Sequence, residues 1–100
     1  MILKPGVIFN GVQPPVLRAM AAAEEVFGPY GDVVVTSIKD GTHSANSLHY
    51  DGLAFDLRTR HMDKGQVAAA AEALAIALGK DYDVVIEGDH LHVEYDVRRK

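Results

Sequence analysis

The stretch Tyr82-Asp83-Val84-Val85-Ile86-Glu87-Gly88-Asp89-His90-Leu91-His92-Val93-Glu94-Tyr95 decides the fold. It reads as a β-hairpin whose two-residue turn is Gly88-Asp89, with Gly at the first turn position as a type II′ turn prefers. That turn sets a register in which Glu87 lies opposite His90 and Val85 opposite His92. His90, His92 and Glu94 then alternate with Leu91, Val93 and Tyr95, so one face of the second strand is apolar and the other carries two imidazoles flanked by carboxylates. A His-x-His on a strand is by itself common on the solvated face of an antiparallel sheet. Its meaning depends on what the rest of the chain brings to that face.

Working outward, Asp63 to Leu78 predicts a helix, because Val67, Ala70, Ala71, Leu74, Ala75 and Leu78 fall on one stripe and Gly79 is a natural stop. Leu53 to Arg58 alternates as a strand, with Ala54, Asp56 and Arg58 on one face and Leu53, Phe55 and Leu57 on the other. The β-branched run Asp32 to Ile38 predicts another strand, and the polar segment from Lys39 to Ser47 a loop. A first helix is expected from Pro14 or Pro15, through Val16, Leu17, Met20 and Phe27, to a stop at Gly28-Pro29. The pattern is that of an α+β fold, a small antiparallel sheet with helices packed on one side, in a single domain over residues 1–100.

Composition narrows the function. The chain has 100 residues, 48% of them hydrophobic, enough for one buried core and no more. Its formal net charge is −4 and its Lys and Arg are scattered, so nucleic acid is not an expected partner. Cys is absent, which leaves His and carboxylates to hold any metal. The Ala-rich stretch from Val67 to Leu78 is far short of the roughly 20 apolar residues of a membrane span. The opening Met-Ile-Leu-Lys-Pro-Gly lacks the pattern of a signal peptide. The expectation is a soluble protein made in the cytoplasm, without a membrane partner and working as a monomer.

A second polar cluster joins the hairpin histidines. Ser47-Leu48-His49-Tyr50-Asp51-Gly52-Leu53-Ala54-Phe55-Asp56 places a His and an Asp seven positions apart. Stretched straight that separation is roughly 23 Å, too far for one ion, so the chain must fold back, and Asp51-Gly52 is where a backbone needing positive φ can do so. The stretch fits Ser-x-His-x-x-Gly-x-Ala-x-Asp at every specified position, and Asp89-His90-Leu91-His92 fits a later Asp-His-x-His element. Together they resemble the zinc D-alanyl-D-alanine carboxypeptidases and their relatives, among them D,D-dipeptidases, phage L-alanyl-D-glutamate endolysins and the hedgehog signalling domain. The resemblance covers about the second half of the chain.

The resemblance implies a hedgehog/DD-peptidase-like fold and a zinc site in which His49, Asp56 and His92 are ligands. It implies Asp89 as general base and His90 as stabiliser of the transition state, with Glu87 a rival base because the register sets it beside His90. Lys39 stands where many members carry a substrate-holding Arg. Ser47, which opens the first motif, and Arg58, on the strand face of Asp56, are the other expected substrate contacts. The expected activity is hydrolysis of D-amino-acid-containing cell-wall peptides, carried out on the wall after release if the chain is phage-encoded. The alternative from another class is a zinc-binding domain without catalysis, serving binding or structure, and the blandest reading is a small α+β protein with surface histidines.

Overall fold

A computed structural model describes residues 1–38 and 51–96. Its elements are β1 (Ile2–Leu3), α1 (Pro14–Phe27), a 3-10 turn at Gly28–Tyr30, β2 (Val34–Ser37), β3 (Ala54–Arg58), α2 (Lys64–Leu78), β4 (Tyr82–Glu87) and β5 (His90–Tyr95). The strands form one sheet in the order β1-β2-β3-β5-β4. The pairs β2–β3, β3–β5 and β5–β4 are antiparallel, as expected, but β1 runs parallel to β2 through Ile2↔Val34 and Leu3↔Val35. The sheet is therefore mixed, and the expectation of an antiparallel sheet is corrected at that edge. Parallel neighbours need a long crossover, and α1 supplies it.

The hairpin forms as the turn chemistry dictates. Gly88 has φ 55 and, among the described residues, which include Asp89, no non-Gly residue has positive φ, which excludes a type I′ turn and agrees with type II′. Val84, Ile86 and Tyr82 pair with Val93, Leu91 and Tyr95, and on the other face Val85 and Glu87 pair with His92 and His90.

Both helices start where local chemistry allows. Pro14 and Pro15 fit the first turn of α1, where an amide N–H would find no partner. After Phe27 the chain tightens into the 3-10 turn with Pro29 in its first positions. α2 begins one residue later than its sequence pattern predicts, because Asp63 caps it. The Asp63 carboxylate accepts from the Gln66 amide at 2.8 Å while the Gln66 side chain accepts from the Asp63 N–H at 3.1 Å. Two stripe assignments are corrected: Leu17 is 45% exposed, with Ala19 and Ala23 on the buried face instead, and Ala75 points outward. Among the described residues no helix is long and apolar enough to cross a membrane.

Helix residues Val16, Ala23, Phe27 and Leu74 share one core with Val35, Phe55, Leu57, Leu91 and Val93 of the sheet. Tyr82 ties hairpin to helix. Its hydroxyl donates to the Pro15 carbonyl at 3.1 Å, its ring stands edge-on to Tyr95 at 5.1 Å, and Arg18 lies 5.5 Å from its centroid. Burial pushes the Tyr82 phenol up, against the lowering effect of Arg18. With the apolar side chains of β3 and β5 turned to the helices, the alternate residues Asp56, Arg58, His90, His92 and Glu94 occupy the opposite face.

Gly52 folds the motif back at the entry to β3. Its φ is 70, its carbonyl accepts from the Gln13 N–H at 3.1 Å, and the Gln13 amide nitrogen donates to the Asp51 carbonyl at 2.7 Å. A Cβ there would collide with the Gly11 carbonyl oxygen, whereas a Cβ on Gly88 meets nothing within 4 Å. Gly88→Ala is expected to cost about 1–2 kcal/mol, the strain of a left-handed backbone alone. Gly52→Ala adds a backbone collision and is expected to cost at least about 1 kcal/mol more, as a tight packing clash does. Urea unfolding of both variants checks the order, and equal losses would show that the loop before α1 does not press on Gly52.

Candidate metal centre

Asp56 on β3 and His92 on β5 are direct cross-strand partners. They are 36 positions apart in sequence, yet the Asp56 carboxylate and His92 Nδ1 lie 3.0 Å apart. Two constraints hold the pairing. The Tyr95 N–H donates to the Leu53 carbonyl at one end of the ladder, and at the other the Thr59 N–H donates to the Asp89 carbonyl, both at 2.9 Å. At the neighbouring strand the register shifts by one residue between Val35 and Ser37, so that Ser37 lies against Asp56. A bulge of this kind bends the strand and re-aims side chains next to a site.

The other ring nitrogen of His92 is also engaged. Nε2 lies 2.7 Å from Glu94 Oε1, two residues further along the same strand face. An imidazole held by carboxylates at both nitrogens is stabilised as the cation. Burial works against the charge, but the hydrogen bonds to Asp56 and Glu94 outweigh it and lift the His92 pKa from 6.5 to about 9. Glu94 was not among the sequence-predicted site residues. Its signal was the i, i+2 spacing that puts it on the face of His92, an arrangement that a strand shares with any alternating polar pair.

Donor atoms of Asp56, Glu87 and His92 all lie within 4.8 Å of one another. Tetrahedral zinc with ligand bonds of about 2.0–2.2 Å sets its donors roughly 3.4 Å apart, so the Asp56–His92 pair at 3.0 Å would open slightly to take an ion between its donors. One imidazole nitrogen and carboxylate oxygens are donors zinc accepts. With Nδ1 toward the ion, the Nε2 proton stays with Glu94, the carboxylate–histidine arrangement that orients a metal ligand. A second group, Asp83, Glu94 and Asp96, gathers three carboxylates within 4.8 Å, but its donors are all oxygen, a set better suited to hard cations than to zinc.

The remaining predicted residues divide by position. His49, Ser47 and Lys39 lie outside the described residues. His90 stands between two carboxylates, with Nε2 3.3 Å from Glu87 and Nδ1 3.4 Å from Asp89. Glu87 is thus both beside His90 and within the donor group, while Asp89, 76% exposed at the turn, is outside that group. Arg58, half-buried, sits opposite His90. A cavity lined by Thr59, Met62, Val67, Ile86 and Asp89 opens on the other, helix-bearing side of the sheet, away from the candidate donor group. No protein-family model matches the chain.

The metal-free protein has a defined pH signature. A folded pKa of about 9 against 6.5 means the His92 contribution to stability is complete below about pH 6.5 and is lost as pH rises through about 9. An NMR titration of the His92 ring is expected to give a midpoint near 9. Glu94→Gln removes one of the two carboxylates, so it should lower that midpoint and flatten the alkaline fall in melting temperature. An unchanged midpoint in that variant would remove Glu94 from the role of orienting His92.

Proposed function

We propose that the chain is a zinc-dependent peptidase of the hedgehog/DD-peptidase type that hydrolyses D-amino-acid-containing peptides of the bacterial cell wall. The observation that carries this reading is the meeting of Asp56 and His92. Two motifs distant in sequence each nominate one ligand, and those side chains stand 3.0 Å apart on one sheet face. His49, from the first motif, completes the ligand set. The substrate class follows from the resemblance of the two motifs.

Zinc, when bound, supplies Lewis acidity that polarises a carbonyl oxygen and lets water ionise near neutral pH. The protein's own residues do the rest. Glu94 keeps His92 oriented through Nε2. Asp89, outside the donor group, accepts the proton of the attacking water and returns it to the leaving amine. Glu87 and Asp89 hold His90 between them at the same end of the sheet, where its ring can face the oxyanion of the tetrahedral intermediate.

Metal analysis of purified protein is expected to find one zinc per chain, lost in His49→Ala, Asp56→Ala and His92→Ala. Zinc-loaded protein incubated with purified peptidoglycan should release peptides whose masses identify the bond cut. Zinc binding without any release would leave a non-catalytic zinc domain in place of a peptidase.

The base has its own test. Asp89→Asn should keep fold and zinc and lower turnover by roughly 10²- to 10⁴-fold, the usual share of a general base. Glu87→Gln is the comparison, and normal turnover in Asp89→Asn beside a zinc-loaded, inactive Glu87→Gln would exchange their roles.

A further inference from the structure

At the end of β3 the site face of the sheet carries a second feature, a cavity of about 390 Å³ bounded by Gly31, Asp32, Val34, Arg58, Arg60 and His61. It lies on the face of Asp56. Val35 faces the core opposite Leu57, so Val34 and Arg58 turn to the other side, and Arg58 is also cross-strand to His90. Two guanidinium groups against the one carboxylate of Asp32 leave a formal charge of +1 with His61 neutral, in a chain whose net charge is −4. Among the described residues none of Arg58, Arg60 and His61 has an ion-pair or hydrogen-bond partner for its side chain. The His61 ring is seated on Gly31, whose φ is 127, and a Cβ on that glycine would lie 3.4 Å from the ring Cδ2. Two guanidinium groups outnumber one carboxylate around this concave space, a balance that suits an anion, and arginine suits carboxylate through its two-pronged donor geometry.

We propose that this cavity is a carboxylate-binding subsite that holds an acidic group of the peptide substrate beside the metal centre. The link to a peptide rests on the peptidase reading above. Arg58 is two residues from Asp56 along β3, about 7 Å on one face of a strand. An extended peptide advances about 3.3–3.6 Å per residue, so the subsite captures a carboxylate within roughly two residues of the bond being cut. That carboxylate belongs either to the peptide C-terminus or to an acidic side chain, and the two sources are separable.

The test reads binding in the zinc-free protein by NMR, following the His61 ring and the Arg58 and Arg60 side-chain N–H signals. One pair of probes is acetyl-D-alanyl-D-alanine and its C-terminal amide. The other is acetyl-L-alanyl-D-glutamic acid α-amide, with a free side-chain carboxylate, and its D-glutamine counterpart. At least one acid is expected to saturate these signals and its amide to bind tenfold or more weakly, the responding pair naming the source. Arg58→Gln and Arg60→Gln should each weaken that acid by roughly 10- to 100-fold, the scale of one hydrogen bond to a charged group, with partial recovery in Arg58→Lys. Arg60 is exposed, so its replacement leaves the fold intact.

Equal binding of acid and amide, no binding of either acid, or wild-type affinity in both glutamine variants would each overturn the subsite. Carboxylate-selective binding by a protein that cleaves no wall peptide would sink the peptidase reading and leave the anion site standing. Cleavage of acid and amide at equal rates, unchanged in Arg58→Gln, would do the reverse.

Discussion

The pairing of β3 with β5 is the constraint on which the rest depends. Side chains alternate along a strand, so a slip of one residue would turn Asp56 toward the helices and Leu57 toward the face of His92. The apolar and polar sets are mutually exclusive in this respect. Burying Phe55, Leu57, Leu91 and Val93 at no more than 1% exposure places Asp56 opposite His92 as a consequence. The hydrophobic core therefore sets the geometry of a polar site that it does not touch. The backbone bonds at the two ends of the ladder, Thr59 to Asp89 and Tyr95 to Leu53, hold the same register from outside.

Two carboxylates at one imidazole give the site its electrostatic character. Asp56 and Glu94 keep His92 protonated, so a metal ion taken up there, as proposed, would have to displace a proton from the imidazole. Farther along the face the sign of charge changes, from the acidic neighbourhood of His92 to Arg58 and Arg60. On the proposed reading, a peptide laid across this face would meet the acidic, imidazole-bearing end at one point and the arginines at another.

The motif residues that carry no chemistry have structural reasons. Gly52 is in the left-handed region with the Gly11 backbone pressed against it, and Ala54 is fully buried beside Asp56 on the polar face. The segment from Asp51 to Asp56 thus combines a tight approach of two backbone segments with the placing of the Asp56 carboxylate.

Much of the fold was legible from local chemistry. The two helices, the Gly88-Asp89 turn and the facing of Glu87 with His90 follow from apolar periodicity, Pro and Gly, signals that act over a few residues. The meeting of Asp56 with His92 was legible only through the pairing of two motifs. β1 was not legible, because two exposed residues, Ile2 and Leu3, are too few to display a period and their partner lies some 30 positions away. Nor were the exposure of Leu17 and Ala75, which depends on how each helix is rotated against its neighbours, the one-residue shift at Val35 to Ser37, or the gathering of Arg58, Arg60 and His61 beside Gly31. The sequence by itself determined which residues lie in helices, strands and turns and which share a strand face, since those are set by near neighbours. Only the tertiary structure decided strand order, Glu94 as the second partner of His92, and the cationic cavity, since these arise where segments distant in the chain are brought together by burial of a common core.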